Sequence, residues 1–360
     1  MPSLAEISRI CGVSLGATSK ALSGKPGVSE ATRQRILSVA AQRNYRPNRL
    51  VHAIQQGRSM TIGLTCSDFH SDFGGRIVEG MLKVLYEAHY DPIVINWDLC
   101  VNEGEKVLRT FAERRVDGLL MFPPADQPSQ EYLQELKNMR RPIVVIDQTF
   151  AGCESYDFVG SQDLEGAVAA TEHLLALGHR RLANIFHRQT STGRARLEGF
   201  QQAMAAAGVP VHAKWLCEIT QYESKEAYAK TRELLSAPDR PTAILCFNDW
   251  VALDVMAAAS DLGLSIPRDL SVIGFADLQM SAHLRPRLTT VAQDPREIGR
   301  RAAVRLVSLL ESAAKAKKSK NIGESAAAAQ AASPLLDRVP VRLEVRDSTG
   351  APPPLPGAAG

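Results

Sequence analysis

The chain has 360 residues, more than one ordinary domain holds, and 45% of them are hydrophobic, so two or three compact units with sizeable cores are expected. Its net charge of +3 hides an asymmetry: residues 1–60 carry nine Lys/Arg against two Asp/Glu, and the remainder carries 33 against 37. A basic head on a mildly acidic body points to a DNA-reading module attached to something else; the six singly placed cysteines exclude a disulfide scaffold, and no apolar run is long enough to span a bilayer.

The stretch SLAEISRICGVSLGATSKALSG, residues 3–24, predicts two short helices joined by a glycine turn. Leu4, Ile7, Ile10 and Cys11 form the apolar set of the first, and Ser3 with Glu6 has the spacing of a capping box. Ser14 opens the second helix. Two such helices make a helix-turn-helix, whose second helix can enter the DNA major groove. From Ser29, VSEATRQRILSVAAQRNY predicts a third helix, with Ala31, Ile36, Val39 and Ala40 closing a small core. Pro47 stops it, Asn48 can cap a fourth short helix, and Gly57 ends that one. A helix so short orders only against a partner.

From Met60 the texture changes. TIGLTC, PIVIN, DGLLMF and PIVVID alternate with helices around 74–88, 103–115 and 130–139. DFVG, RLANIF, WLCEIT, TAILCF and LSVIGF then alternate with helices at 163–177, 193–207, 224–236 and 248–262. Continuous apolar strands separated by helices indicate parallel sheet covered on both faces. The expected fold is therefore an α/β core of two doubly wound parallel-sheet subdomains preceded by an all-α helix-turn-helix domain, with ligands at the facing carboxyl edges of the strands. LTTVAQ, a helix at 295–311 and one late strand, VPVRLEV, complete it. The expected division is a head at 1–47, a hinge at 48–59 and a core at 60–350. Within the core, lobe 1 takes about 60–157 and 288–312, and lobe 2 about 158–287 and 335–350. Residues 313–334, rich in Lys and Ala, read as a mobile surface loop without a heptad repeat, and 351–360 as a disordered tail.

Two other classes have sequence hooks. Gly12-Val13-Ser14-Leu15-Gly16 matches the Gly-x-Ser-x-Gly nucleophile elbow, but a helix precedes it where that motif needs a strand. The eight histidines have no His-Glu-x-x-His spacing, and no Gly-x-Gly-x-x-Gly follows a strand, so no metal, cofactor or enzymatic activity is expected. A transport solute-binding protein would share the two-lobed core; the basic head and the start MPSLAEIS, which lacks a leader pattern, favour a soluble cytoplasmic regulator.

GVSLGATSKAL, VSEATRQRI, NYRPNRLVHAI, RVDGLLM, GHRRLANI, RLEGF, FNDWVAL, SVIGF and LTTVAQD in this order closely resemble the lactose-repressor/galactose-repressor family of bacterial transcription regulators. The resemblance covers nearly the whole chain apart from the 313–334 segment and the tail. It implies a homodimer whose paired heads bind a pseudopalindromic operator, and a core resembling periplasmic sugar-binding proteins that senses a small molecule, a sugar or sugar derivative. Repression is what the family pattern favours.

On that pattern Leu15, Gly16 and Lys20 take the base-reading positions, while Ser14, Ser19, Ser29 and Thr32 match phosphate contacts that set register. Gly16 has no side chain, Leu15 offers apolar contact such as to a thymine methyl, and Lys20 lacks the bidentate fork of Arg. Asn48 and Arg49 belong to the hinge. Ile54 stands where the family inserts an apolar side chain into the minor groove and kinks the duplex; packing in the protein core is the alternative. The effector positions implied are Asp72, Phe73, Asp147, Arg196, Tyr222, Asn248, Asp249 and Gln293. Helix capping is the alternative reading for Asn248 and Asp249, which stand at a helix start. One departure stands out: Ala276 replaces the usual ligand-binding Asp, and the adjacent Asp277 points to the opposite side of an extended segment. With Arg196 kept and a carboxylate lost, the expected effector is a sugar derivative or carboxylated metabolite.

Overall fold

The computed structural model describes residues 2–45, 58–66, 72–96, 104–123, 127–220, 225–318 and 333–354. They form two compact units, Met1–Met60 and Thr61–Gly360.

The first unit holds α1 (Leu4–Cys11), α2 (Leu15–Leu22) and α3 (Glu30–Gln42). Each starts at a serine whose hydroxyl oxygen accepts a backbone N–H three residues on: Ser3 from Glu6 at 3.2 Å, Ser14 from Ala17 at 3.1 Å, Ser29 from Thr32 at 3.3 Å. Such caps contribute about 1 kcal/mol each. Gly12 turns the chain between α1 and α2 at φ +59°, a left-handed conformation that costs other residues more. Ile7, Cys11, Ala21 and Ile36 form the core, with Val13, Leu22, Val28, Val39 and Tyr45 packed around it. Ile10 and Ala31, expected inward, are exposed: the inward stripe of α1 is narrow and the i, i+4 pair Ile7 and Cys11 fills it. The proposed fourth helix, with Asn48, Arg49 and Ile54, lies outside the described residues.

In the second unit, strands β1 (Thr61–Cys66), β2 (Asp91–Asn96), β3 (Gly118–Met121), β4 (Ile143–Ile146) and β5 (Asp157–Ser161) alternate at first with helices α4 (Asp72–Glu87), α5 (Gly104–Glu113) and α6 (Gln130–Asn138). A second series follows: α7 (Asp163–Ala176), β6 (Leu182–Phe186), α8 (Ser191–Ala206), β7 (Leu216–Glu218), α9 (Glu226–Ser236), β8 (Ala243–Cys246), α10 (Asp249–Asp261), β9 (Ser271–Ala276) and β10 (Thr289–Ala292). Helix α11 (Pro295–Lys318) and strands β11 (Leu336–Val339) and β12 (Arg342–Glu344) complete the unit. One sheet has the order β11-β5-β4-β3-β1-β2 and the other β12-β10-β9-β8-β6-β7. All neighbours are parallel except β10 and β12. The two faces of the second sheet are covered by separate apolar clusters, one around Val251, Val255 and Ile244, the other around Leu174, Phe200 and Phe275.

Three sequence expectations shift. β5 pairs with β4 and β10 with β9, so Asp157–Ser161 belongs to the first sheet and Thr289–Ala292 to the second. The single late strand is two, one in each sheet, because Pro340 has no N–H to continue a ladder and the chain crosses between lobes there. Helix α11 runs to Lys318, into the segment expected to be a loop, since Ala and Lys are strong helix formers; residues 319–332 lie outside the description. Residues 351–354 of the expected tail are described, with Pro352 near Gly178.

The chain passes between lobes at 161–163, 292–295 and 339–342. Gln293 Nε2 donates to Ser161 Oγ at 2.8 Å, and the Gln162 N–H donates to the Val339 carbonyl at 3.0 Å. All three crossings are thereby bonded into one strap.

Helix α11 packs on α4 through a reciprocal glycine contact: a Cβ on Gly80 would collide with the Arg296 carbonyl oxygen, and one on Gly299 with the Ile77 carbonyl oxygen. Gly299→Ala is therefore expected to lower stability by about 1–3 kcal/mol. Gly75→Ala, on the same helix α4 with no atom near the added carbon, should raise it by roughly 0.5–1 kcal/mol. Urea titrations of the two variants, compared with wild type, check the opposite signs.

Cys11, Cys66, Cys153 and Cys246 are buried thiols and Cys217 is half-buried; Cys100 is outside the described residues. No helix among the described residues is long and apolar enough to cross a membrane.

Candidate functional site

In the head, Thr18 and Ala21 turn inward from α2 and leave Leu15, Gly16 and Lys20 exposed together, with Ser19 partly so. The buried Ser8 and Thr18 hydroxyls meet at 2.8 Å and fix α2 against α1. Ser14, which the nucleophile-elbow reading would need on a strand-to-helix turn, follows a helix and serves as the cap of α2. Ser29 donates to Thr32 Oγ1 at 2.8 Å, so the Thr32 proton remains for an outside acceptor such as phosphate. Arg33 and Arg35 donate to the backbone carbonyls of Lys25 and Cys11, each at 2.8 Å, and act as clamps between helices.

The second unit opens a cleft of about 630 Å³, part of it open to solvent, between the carboxyl edges of its two sheets. Phe73, Asp147, Arg196, Asn248 and Gln293, expected from the resemblance, all line it. Arg196, from the second turn of α8, is buried. Its Nε and Nη2 donate to Asp163 Oδ1 at 2.8 and 2.7 Å, and its Nη1 to the Phe247 carbonyl at 2.7 Å. The guanidinium lies 3.7 Å from the centre of the Phe275 ring and 5.0 Å from that of Phe247. Its charge is thus already matched by Asp163.

Asp147 follows β4 with φ +65° and is buried, and its Oδ1 has no hydrogen-bond partner among the described residues. Burial, then the charge of Asp163, push its carboxyl up to about 7, against the pull of Arg196 and Gln148. Burial also raises Asp163 above the ordinary carboxylate range despite its arginine partner. The site therefore holds one carboxyl oxygen, Asp147 Oδ1, without a donor among the described residues, next to a matched ion pair.

Other expected residues have different roles. Asp249 is fully enclosed. It accepts from the Thr290 hydroxyl at 2.6 Å, the Ser281 hydroxyl at 2.7 Å and the Leu278 N–H at 2.8 Å, so it ties the cleft floor together and does not reach a ligand. Asn248 caps α10, accepting from the Val251 N–H at 2.9 Å, and also lines the cleft, so both readings of it stand. Asp72 pairs with Arg76 at 2.6 Å and accepts from the Gln279 N–H at 3.3 Å, a bond from one lobe to the other. Asp277 is held by Arg346 at 2.6 Å, while its neighbour Ala276 lines the cleft, so Asp277 does not stand in for the missing carboxylate. Tyr222 lies outside the described residues.

Residues 3–48 match the family model for bacterial regulatory proteins of the lacI family, and residues 171–349 that of a periplasmic binding protein-like domain. The HTH-type transcriptional repressor PurR of Photobacterium profundum is 31% identical over 306 residues, 84% of this chain and 90% of that protein. The chain belongs to the LacI family. Among solved structures, a LacI family transcriptional regulator from Enterococcus faecium with bound ribose is 28% identical with a TM-score of 0.66, covering 81% of this chain and 99% of that one. The Lac repressor dimer bound to operator and the anti-inducer ONPF shares the fold, at 23% identity and TM-score 0.80, over 97% and 99% of the two chains.

Sequence reasoning missed several cleft residues of this LacI-family chain: Phe122, Gln148, Thr192, Phe247, Trp250 and Leu278. The signal was there for four. Phe122 and Phe247 are the first residues past β3 and β8, and Gln148 and Leu278 the second past β4 and β9, where ligands meet parallel sheets.

Proposed function

We propose that this LacI-family transcriptional repressor is a homodimer whose paired heads bind a pseudopalindromic operator, and whose cleft takes a neutral, hydroxyl-rich effector of the sugar class. The observation that carries the effector reading is Asp147, whose buried Oδ1 has no hydrogen-bond partner among the described residues, beside an arginine whose charge is already matched. A ligand hydroxyl donating to Asp147 completes the site, whereas a ligand carboxylate would set a further anion against it. Phe73 from one lobe and Trp250 from the other line the cleft with aromatic side chains that suit the apolar face of a sugar ring. The ribose bound by the Enterococcus faecium relative supports the same class.

Control follows from linkage. A ligand that binds the open and closed lobes unequally changes operator affinity, and the operator changes ligand affinity by the same factor. Calorimetry of the full chain with neutral pentoses, hexoses and disaccharides against the matched sugar acids tests the effector class; preference for the acids sinks it. Gel shifts on promoter fragments should be lost on deleting residues 1–57, and should respond to the same sugar that releases heat.

A further inference from the structure

The outward face of α2 offers little hydrogen bonding at its N-terminal half. Leu15, the first residue of that helix, is 53% exposed and takes no part in the head core. Gly16 beside it opens onto free space, with only Ser14 Oγ at 4.0 Å from where a Cβ would stand. The Ser14 oxygen accepts from the helix backbone, and Arg33 and Arg35 are held by backbone carbonyls. Lys20 is the single basic residue of α2, more than one turn further on.

A helix in the major groove touches base edges with its N-terminal residues. The only apolar group displayed there is the C5 methyl of thymine. We propose that the head reads thymine methyl groups through Leu15, with Gly16 admitting the helix backbone close to the base edges; this rests on the DNA-binding reading of the head. Lys20 then contributes attraction and one hydrogen bond to a guanine edge or phosphate, and the identity of the innermost base pairs is set by methyl packing.

The test uses the full chain and a duplex it selects from a randomised pool. Each thymine of a half-site is replaced in turn by deoxyuridine, which removes the methyl and leaves the pairing edge unchanged. At one or two positions wild type should bind roughly fourfold more weakly for one methyl and roughly fifteenfold for the symmetric pair, the transfer cost of one and two buried methyl groups. Leu15→Ala should bind the thymine and uracil duplexes equally. Lys20→Ala should weaken both by the same factor. The proposal is overturned if no thymine of the half-site is sensitive in wild type, or if the sensitivity persists in Leu15→Ala. Recovery of no preferred duplex at all would remove the DNA-reading assignment along with it, a result distinct from uracil-insensitive binding.

Discussion

Replacing Arg196 by Met should cost about 3–5 kcal/mol of stability, the usual penalty for leaving one partner of a buried ion pair unmatched. Arg196 and Asp163 are both almost fully enclosed, and the arginine also satisfies the Phe247 carbonyl and fills the space between two phenylalanine rings. Met keeps much of the stem's apolar contact, so the loss reports the charge and its hydrogen bonds. The double variant Arg196→Met/Asp163→Asn should recover a substantial part, because no buried carboxylate is then left alone. Denaturant unfolding of the four members of this cycle measures the coupling. Additive losses would show that Asp163 does not depend on Arg196.

Asp147 predicts the opposite sign and a dependence on pH. Its carboxyl titrates at about 7 in the folded protein, above the 3.8 it has when unfolded. A raised carboxyl binds a proton more tightly in the folded state, so its contribution to stability is complete below about pH 4 and is lost as pH rises through about 7. A shift of this size corresponds to a few kcal/mol at most. Asp147→Asn should therefore be more stable than wild type at pH 8, with the advantage narrowing as pH falls from about 7 to about 4. Above about pH 7 the same variant should bind effector more weakly, since the amide is neutral and has one acceptor oxygen where the ionised carboxylate has two. Melting temperatures across pH 4–8, with and without ligand, check both. A constant difference across that range would mean that Asp147 is ionised throughout.

The alternation of apolar runs and helical segments made both parallel sheets readable, because such strands need little more than β-branched and aliphatic residues between turns. Lobe membership was not readable. β10 and α11 are six residues apart from start to start yet serve different lobes, and Pro340 divides one apolar run into strands of two sheets. Nothing local distinguishes a strand that continues its sheet from one that crosses to the next. The cleft was legible where a side chain ends a strand, as with Asp147, and misread at Asp249, whose place at a helix start resembled a ligand position. Only the tertiary arrangement brings Thr290, Ser281 and Leu278 around that carboxylate. For Arg196 the sequence supplied the position but not its charge partner, 33 residues earlier.

The strap that joins the three crossings has a mechanical consequence. With Gln293 bonded to Ser161, and Gln162 to Val339, bending one crossing alone would break a hydrogen bond to another, at a cost of about 1 kcal/mol each, so the two bonds favour joint movement of the three crossings, like slats laced together. The stretch at 339–342 belongs to that lacing as fully as the central crossings do, although it is far from them in the chain.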